Sequence, residues 1–135
     1  METITLYKDI DIIFVQATTF PEGILGAFDT LNTKVPDLEK RRKFGLSRPE
    51  NGRIIYKAAA EKLSSGEGEG LHLHSMQIPK GTYVSILVKD FMKNVTAVGS
   101  AFNQLLGESG IDPQGYCVEC YINATDVQCM VRLAD

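Results

Sequence analysis

Ala27-Phe28-Asp29-Thr30-Leu31 and Ala101-Phe102-Asn103-Gln104-Leu105 lie about 74 residues apart, each in a helix-like stretch that follows a strand-like one. The same offset relates Ile54-Ile55-Tyr56-Lys57-Ala58-Ala59-Ala60 to Gln128-Cys129-Met130-Val131-Arg132-Leu133-Ala134. A unit written twice builds two modules about a pseudo-twofold axis, and the seam between modules is a natural place for a ligand. The expectation is an α+β fold: a duplicated strand-helix-strand-strand module, an antiparallel sheet with two helices, and a cleft between modules.

Outward from the first repeat, the β-branched run Ile10 to Ala17 reads as a strand. Phe20-Pro21-Glu22 opens a helix, with Pro at a tolerated first position and an acid in the first turn. Ile24, Leu25, Phe28, Leu31 and Val35 form its apolar stripe, and Pro36 ends it. A short strand near Phe44-Gly45-Leu46 and a turn over Arg48-Pro49-Glu50-Asn51-Gly52 lead to the return strand Arg53 to Ala60. Ser64-Ser65-Gly66-Glu67-Gly68-Glu69-Gly70 reads as a flexible surface loop, dividing modules of about residues 1–63 and 71–135 within one domain of residues 1–135.

The second module opens with an extended run from Leu71 to Ile78, turns at Pro79-Lys80-Gly81 and alternates strongly from Tyr83 to Val88. Asp90 is placed to cap a helix whose stripe is Val95, Val98, Phe102, Leu105 and Leu106, with Gly110 after its end. Strands Tyr116 to Ile122 and Val127 to Leu133 close the chain.

Side chains alternate across a strand, so spacing assigns faces. A two-residue turn at Ala124-Thr125 sets Glu119 beside Met130 and Tyr121 beside Gln128. Val118, Cys120 and Ile122 then face the helix with Val127, Cys129, Val131 and Leu133, while Cys117, Glu119 and Tyr121 face away. Tyr83, Ser85 and Leu87 join the far face, as do Phe14, Ile12 and Gln16. Tyr56 joins them because it repeats the position of Met130. One carboxylate among Tyr, Phe, Met and Leu suits a cationic ligand, which gains cation–π attraction and apolar contact. Burial would raise such a carboxyl's pKa toward general acid or base use. A solvated sheet face accounts for the same pattern. In the first module Gly45 or Ser47 stands where the acid would be.

Other constellations are weaker. His72 and His74 share a strand face but lack a third ligand at fixed spacing, and no metal site is expected. Cys117 and Cys120 point to opposite faces, unlike a redox or zinc pair, whereas Cys120 and Cys129 read as cross-strand packed thiols. Ser64-Ser65 has no His-Asp company, and no Gly-rich phosphate loop precedes a helix, so no cofactor is expected.

The residues together resemble the gyrase-inhibitor-like (GyrI-like) effector-binding family, whose domain is also attached to multidrug-sensing transcription regulators. Gln77-Ile78-Pro79-Lys80-Gly81-Thr82-Tyr83, Ala101-Phe102-Asn103-Gln104-Leu105 and Tyr116-Cys117-Val118-Glu119-Cys120-Tyr121-Ile122-Asn123 carry the likeness. Ala27-Phe28, Phe44-Gly45-Leu46 and Ile55-Tyr56-Lys57-Ala58 fit more loosely. The resemblance implies an aromatic-lined pocket for lipophilic, often cationic, compounds, with Glu119 as its acid. It also implies, in some stand-alone members, hydrolysis of strained cyclopropane-bearing natural products. Thr19-Phe20-Pro21 and Lys93-Asn94-Val95 stand where the family often has Gly-Pro-Tyr.

Composition sets the outer bounds. At 44% apolar and 23% charged residues the chain is that of an ordinary soluble globular domain. A net charge of -3 with scattered Lys and Arg argues against direct nucleic-acid binding, and Lys40-Arg41-Arg42-Lys43 reads as a solvated face. No apolar run spans a membrane, no signal segment opens the chain, and three cysteines without a disulfide framework suit a reducing cytoplasm. The leading expectation is a stand-alone binder of amphipathic small molecules, cationic ones among them, that senses or sequesters its ligand. Its ligand-binding residues would be Glu119, Tyr56, Tyr83, Tyr121, Phe14 and Met130. The alternatives are a hydrolase with Glu119 as catalytic acid or base, and a protein-interaction regulator of a larger partner such as a topoisomerase.

Overall fold

The computed structural model describes residues 1–94 and 96–135, so Val95, expected in the second apolar stripe, lies outside the described residues. The chain forms two compact units, a central one of Asp9–Pro79 and a terminal one of Met1–Lys8 with Lys80–Asp135.

In the central unit the order is β2 (Ile10–Gln16), α1 (Ile24–Lys34), β3 (Lys43–Glu50), β4 (Arg53–Glu61), α2 (Glu67–Gly70) and β5 (His74–Ile78); the first strand of the chain, β1 (Glu2–Leu6), belongs to the terminal unit. The strands pair antiparallel in the order β3-β4-β2-β5. The helix starts at Ile24, three residues later than Pro21 suggests. Gly23 donates to the Thr19 carbonyl, and a Cβ at Gly23 would sit 2.6 Å from that oxygen, so the close turn demands glycine. Ala27 and Leu31 of α1, with Val35 just past its end, pack on Ile13, Tyr56, Ala58 and Ala60, and this alternation defines the helix-facing side. Helix α1 stops at Lys34, ahead of Pro36.

Strand β3 runs on through the stretch read as a turn, and only Asn51 and Gly52 link it to β4. Both carry positive φ, 52° and 77°, the geometry of a two-residue hairpin turn.

The Gly-rich segment is not a flexible loop. Residues 67–70 form one helical turn, and Gly68 is buried against Ser75, Leu73 and Ile13, where a side chain would collide. Arg41 holds this turn in place. Its guanidinium is 3% exposed and donates twice to the Glu67 carboxylate, at 2.7 and 2.6 Å, and once to the Glu61 carbonyl at 3.0 Å. The bidentate bond is the main reason the Glu67 carboxyl is held below its ordinary range and the Arg41 pKa is raised. Arg41 is therefore a buried tether and not part of a solvated basic face.

The terminal unit is built from β1 (Glu2–Leu6), β6 (Gly81–Val88), α3 (Thr96–Leu106), β7 (Cys117–Tyr121) and β8 (Val127–Arg132). Its strands pair antiparallel in the order β1-β6-β8-β7. Ala101, Phe102 and Leu105 of α3 pack on Val84, Val88, Val127, Cys129 and Val131. Strand β1 was not expected: Glu2, Thr3 and Thr5 mask its alternation, as suits an edge strand. Asp90 does not cap α3; its left-handed backbone opens a single 3₁₀ turn at Phe91–Lys93.

Each unit thus has the strand-helix-strand-strand order, closed by a fourth, edge strand. The extended run expected to open the second module contains β5, which pairs with β2 in the central unit. Among the described residues no helix is long and apolar enough to cross a membrane.

Candidate functional site

The position of Glu119 follows from the hairpin that carries it. Asn123 Oδ1 accepts the N–H groups of Thr125 at 2.8 Å and Asp126 at 2.9 Å, and the Thr125 hydroxyl at 3.0 Å. Ile122 N–H donates to the Asp126 carbonyl at 3.1 Å, so three residues, Asn123 to Thr125, make the loop in place of the expected two. One extra loop residue slips the register by one, which exchanges the two faces of β7. Glu119 therefore pairs with Cys129, Tyr121 with Val127 and Cys117 with Val131, all on the α3 side. Val118 and Cys120 take the far face beside Met130 and Gln128.

This corrects the expected grouping. Glu119 and Tyr121 lie on the helix-facing side of the terminal unit, whereas Tyr83 and Met130, 1% and 4% exposed, lie on the opposite face of the same sheet. Tyr56 is helix-facing in the central unit, where Phe20 stacks on it at 5.9 Å and Phe28 meets it edge-on at 6.3 Å. The offset from Met130 misplaced it because the β3–β4 and β7–β8 hairpins differ in loop length. Phe14 lies on the far face of the central unit, under the Lys57 ammonium at 4.6 Å and stacked with His74 at 5.8 Å. No single unit gathers the six residues.

The helix-facing group includes the half-buried Glu119 carboxylate. The Tyr121 hydroxyl donates to its Oε1 at 2.6 Å. The Phe91 ring sits 5.7 Å from the Tyr121 ring at 59°. Burial pushes the Cys117 thiol up to about 11, with the Glu119 charge second. Burial likewise pushes Cys129 up to about 12, and Glu119 and then Cys117 add to it. Both thiols are neutral at physiological pH, so the group offers one anion, one phenol and a polarizable apolar wall. None of the three cysteines is in a disulfide, and Cys120 and Cys129 are not the buried pair expected.

Phe91 was missed. It lies in a turn that reads as helix cap, and nothing in the spacing signals its contact with Tyr121. Surface depressions within single units, of about 480 Å³ beside Phe20, Arg53 and Ile55 and about 480 Å³ beside Leu87, Ala97 and Gln104, do not include Glu119. Both are open to solvent. Among the described residues no group of His, Cys, Asp and Glu side chains is arranged to hold a metal.

No known family model matches the chain, and no curated protein matches its sequence. Solved structures do resemble it. An integron cassette protein, VCH_CASS2, from the mobile metagenome of Vibrio cholerae is 15% identical, covering 98% of this chain and 94% of that one, with a TM-score of 0.65. SAV2435, solved bound to tetraphenylphosphonium, is 12% identical over 97% of this chain and 93% of its own, with a TM-score of 0.66. A hydrolase from Listeria innocua is 11% identical over 98% and 90%, with a TM-score of 0.62. At these identities the likeness establishes a shared α+β fold and nothing finer.

Proposed function

We propose that this chain binds amphipathic organic cations, with Glu119 as the anionic centre of the site and Tyr121 orienting its carboxylate. The observation that carries the reading is the 2.6 Å Tyr121–Glu119 hydrogen bond on a half-buried, helix-facing strand beside Phe91 and neutral thiols. A carboxylate in such surroundings attracts a desolvated cation more strongly than a surface acid does, and aromatic rings add apolar area and cation–π attraction. The tetraphenylphosphonium complex of SAV2435, a lipophilic cation on a similar fold, supports the same ligand class. The gyrase-inhibitor-like resemblance agrees with it. On this reading the protein senses or sequesters its ligand.

The test is a thermal-shift titration with tetraphenylphosphonium on wild type and Glu119→Gln. A ligand-dependent rise in Tm that the substitution abolishes is the expected result. An equal rise in both proteins would remove Glu119 from the site. A second reading, hydrolysis of an electrophilic small molecule, draws on the same phenol–carboxylate pair, which can pass a proton, and on the hydrolase among the similar structures. Turnover of an epoxide or cyclopropane substrate that fails in Glu119→Gln would replace binding by catalysis.

A further inference from the structure

We infer that the central unit carries a binding site apart from Glu119, a groove at the open end of β2 that takes short zwitterionic peptides with apolar side chains. The inference does not rest on the cation reading of Glu119 and survives its failure. Two depressions, of about 480 and about 310 Å³, meet here and share Gln16, Ala17, Thr18 and Glu22. Each reaches the size at which small-molecule sites begin, about 300 Å³. The larger extends past the Phe20 ring to Arg53 and Ile54 of β4. The smaller extends to Gly26 of α1, which has open space where a Cβ would stand.

Charge, main chain and apolar area together select the ligand. Glu22 and Arg53 line the larger depression, both exposed, and among the described residues neither joins an ion pair or a side-chain hydrogen bond. Other arginines of this unit are paired, Arg42 with Glu61 and Arg48 with Glu50. Strand β5 covers β2 only as far as Phe14, and Ala17 N–H donates to the Tyr56 carbonyl on the β4 side. Strand residues alternate in direction, so the N–H and C=O of Gln16 point outward beyond the end of β5. An added peptide strand pairs with such groups. The Phe20 ring, 40% exposed, stacks on the buried Tyr56 ring at 5.9 Å and 25°, and Ile54 in the same depression is 43% exposed. An organic cation would use Glu22 and leave Arg53 idle. A free amino acid carries both charges on one carbon and has no amide for the strand edge. A dipeptide supplies ammonium, carboxylate, amide and apolar side chains at once.

The experiment is an amide chemical-shift titration of the full chain with leucyl-phenylalanine, its N-acetyl form, its C-terminal amide and the doubly blocked peptide. Wild type, Glu22→Gln and Arg53→Gln are compared; both substitutions fall on exposed side chains, so the fold is not at risk. The shifts are expected to centre on residues 16–23 and 53–55. Blocking either end of the peptide should weaken binding to wild type about fivefold, the upper range for one exposed charge pair. Glu22→Gln should weaken the peptides with a free amino end by the same factor and leave the acetylated ones unchanged. Arg53→Gln should do the same for those with a free carboxylate and leave the amides unchanged. Failure of wild type to bind the free dipeptide, shifts centred elsewhere, or equal affinity for the free and doubly blocked peptides overturns the site.

Discussion

The β3–β4 hairpin of the central unit and the β7–β8 hairpin of the terminal unit occupy the same place in their units and differ by one loop residue. In the first, Asn51-Gly52 makes a two-residue turn, and the helix-facing positions of β3 are Lys43, Gly45 and Ser47, opposite Ala60, Ala58 and Tyr56. In the second, Asn123 to Thr125 makes a three-residue loop, and β7 turns Cys117, Glu119 and Tyr121 toward its helix. The same topology thus presents a lysine, a glycine and a serine in one unit and a thiol, an acid and a phenol in the other. Turn chemistry, more than strand composition, decides which side chains a strand offers.

The largest expected effect concerns the buried Arg41–Glu67 pair of the central unit. Arg41→Ala leaves Glu67 charged and mostly buried without its partner, and should cost about 3 kcal/mol in urea unfolding, as removal of one member of a buried pair does. Amide exchange should then speed at residues 63–73. Because the folded Glu67 carboxyl lies below its ordinary value of 4.5, the pair stabilises at and above that range and its contribution is lost as pH falls through the folded value. The stability gap between wild type and Glu67→Gln should accordingly shrink below about pH 4.5. A gap that widens on acidification would contradict the tether.

A smaller effect tests the hairpins against each other. Gly52 has φ of +77° with open space around it, so Gly52→Ala costs only backbone strain, about 1 kcal/mol. Asn123→Ala deletes an acceptor serving two N–H groups and a hydroxyl and should cost a similar amount, about 1 kcal/mol. The two variants differ in what else they change. Gly52→Ala should leave the cross-strand nuclear Overhauser contact between Glu119 and Cys129 intact, and Asn123→Ala should weaken it. Weakening by both would mean that the register is not set by the local loop.

The two apolar stripes were readable only in part: Leu31, Val35, Phe102 and Leu105 are buried as a period of about 3.6 residues requires, but Leu25 and Leu106, 72% and 52% exposed, fall outside the stripes, and the small Ala27 and Ala101 are buried instead. The faces of β6 and β8 were readable too, since Val84 and Val88, and Val127 and Val131, alternate with more polar residues. The face of β7 was not. Cys-Val-Glu-Cys-Tyr places a moderately apolar residue on each side, so alternation carries no sign, and the side-chain hydrogen bonds of Asn123 decide the matter. The Gly-rich segment misled for a related reason: glycine reads as freedom, yet at Gly68 it marks close packing that a Cβ would obstruct. Arg41 likewise sits in a run of four basic residues, and only tertiary packing distinguishes the buried one.

The smallest effect gives the sharpest reading of the β7 register. Cys117 stands at about 11 and Cys129 at about 12, burial acting first on each and the Glu119 charge second. Removing that charge in Glu119→Gln should lower the pKa of both thiols. The two thiols do not carry equal information. Cys117 and Glu119 are two apart on one strand and share a face whatever the pairing, so a fall at Cys117 follows in either register. Cys129 feels the carboxylate only if it lies directly across from Glu119, as the three-residue loop requires. Because Cys129 is fully buried, an alkylating reagent would report opening of the fold, whereas the cysteine Cβ chemical shifts followed to high pH in a Cys120→Ala background read each site in the folded state. A fall at Cys117 alone would return β7 to the two-residue turn and move Glu119 to the far face, whereas a fall at both keeps the acid beneath α3, on the side where Phe91 and Tyr121 meet.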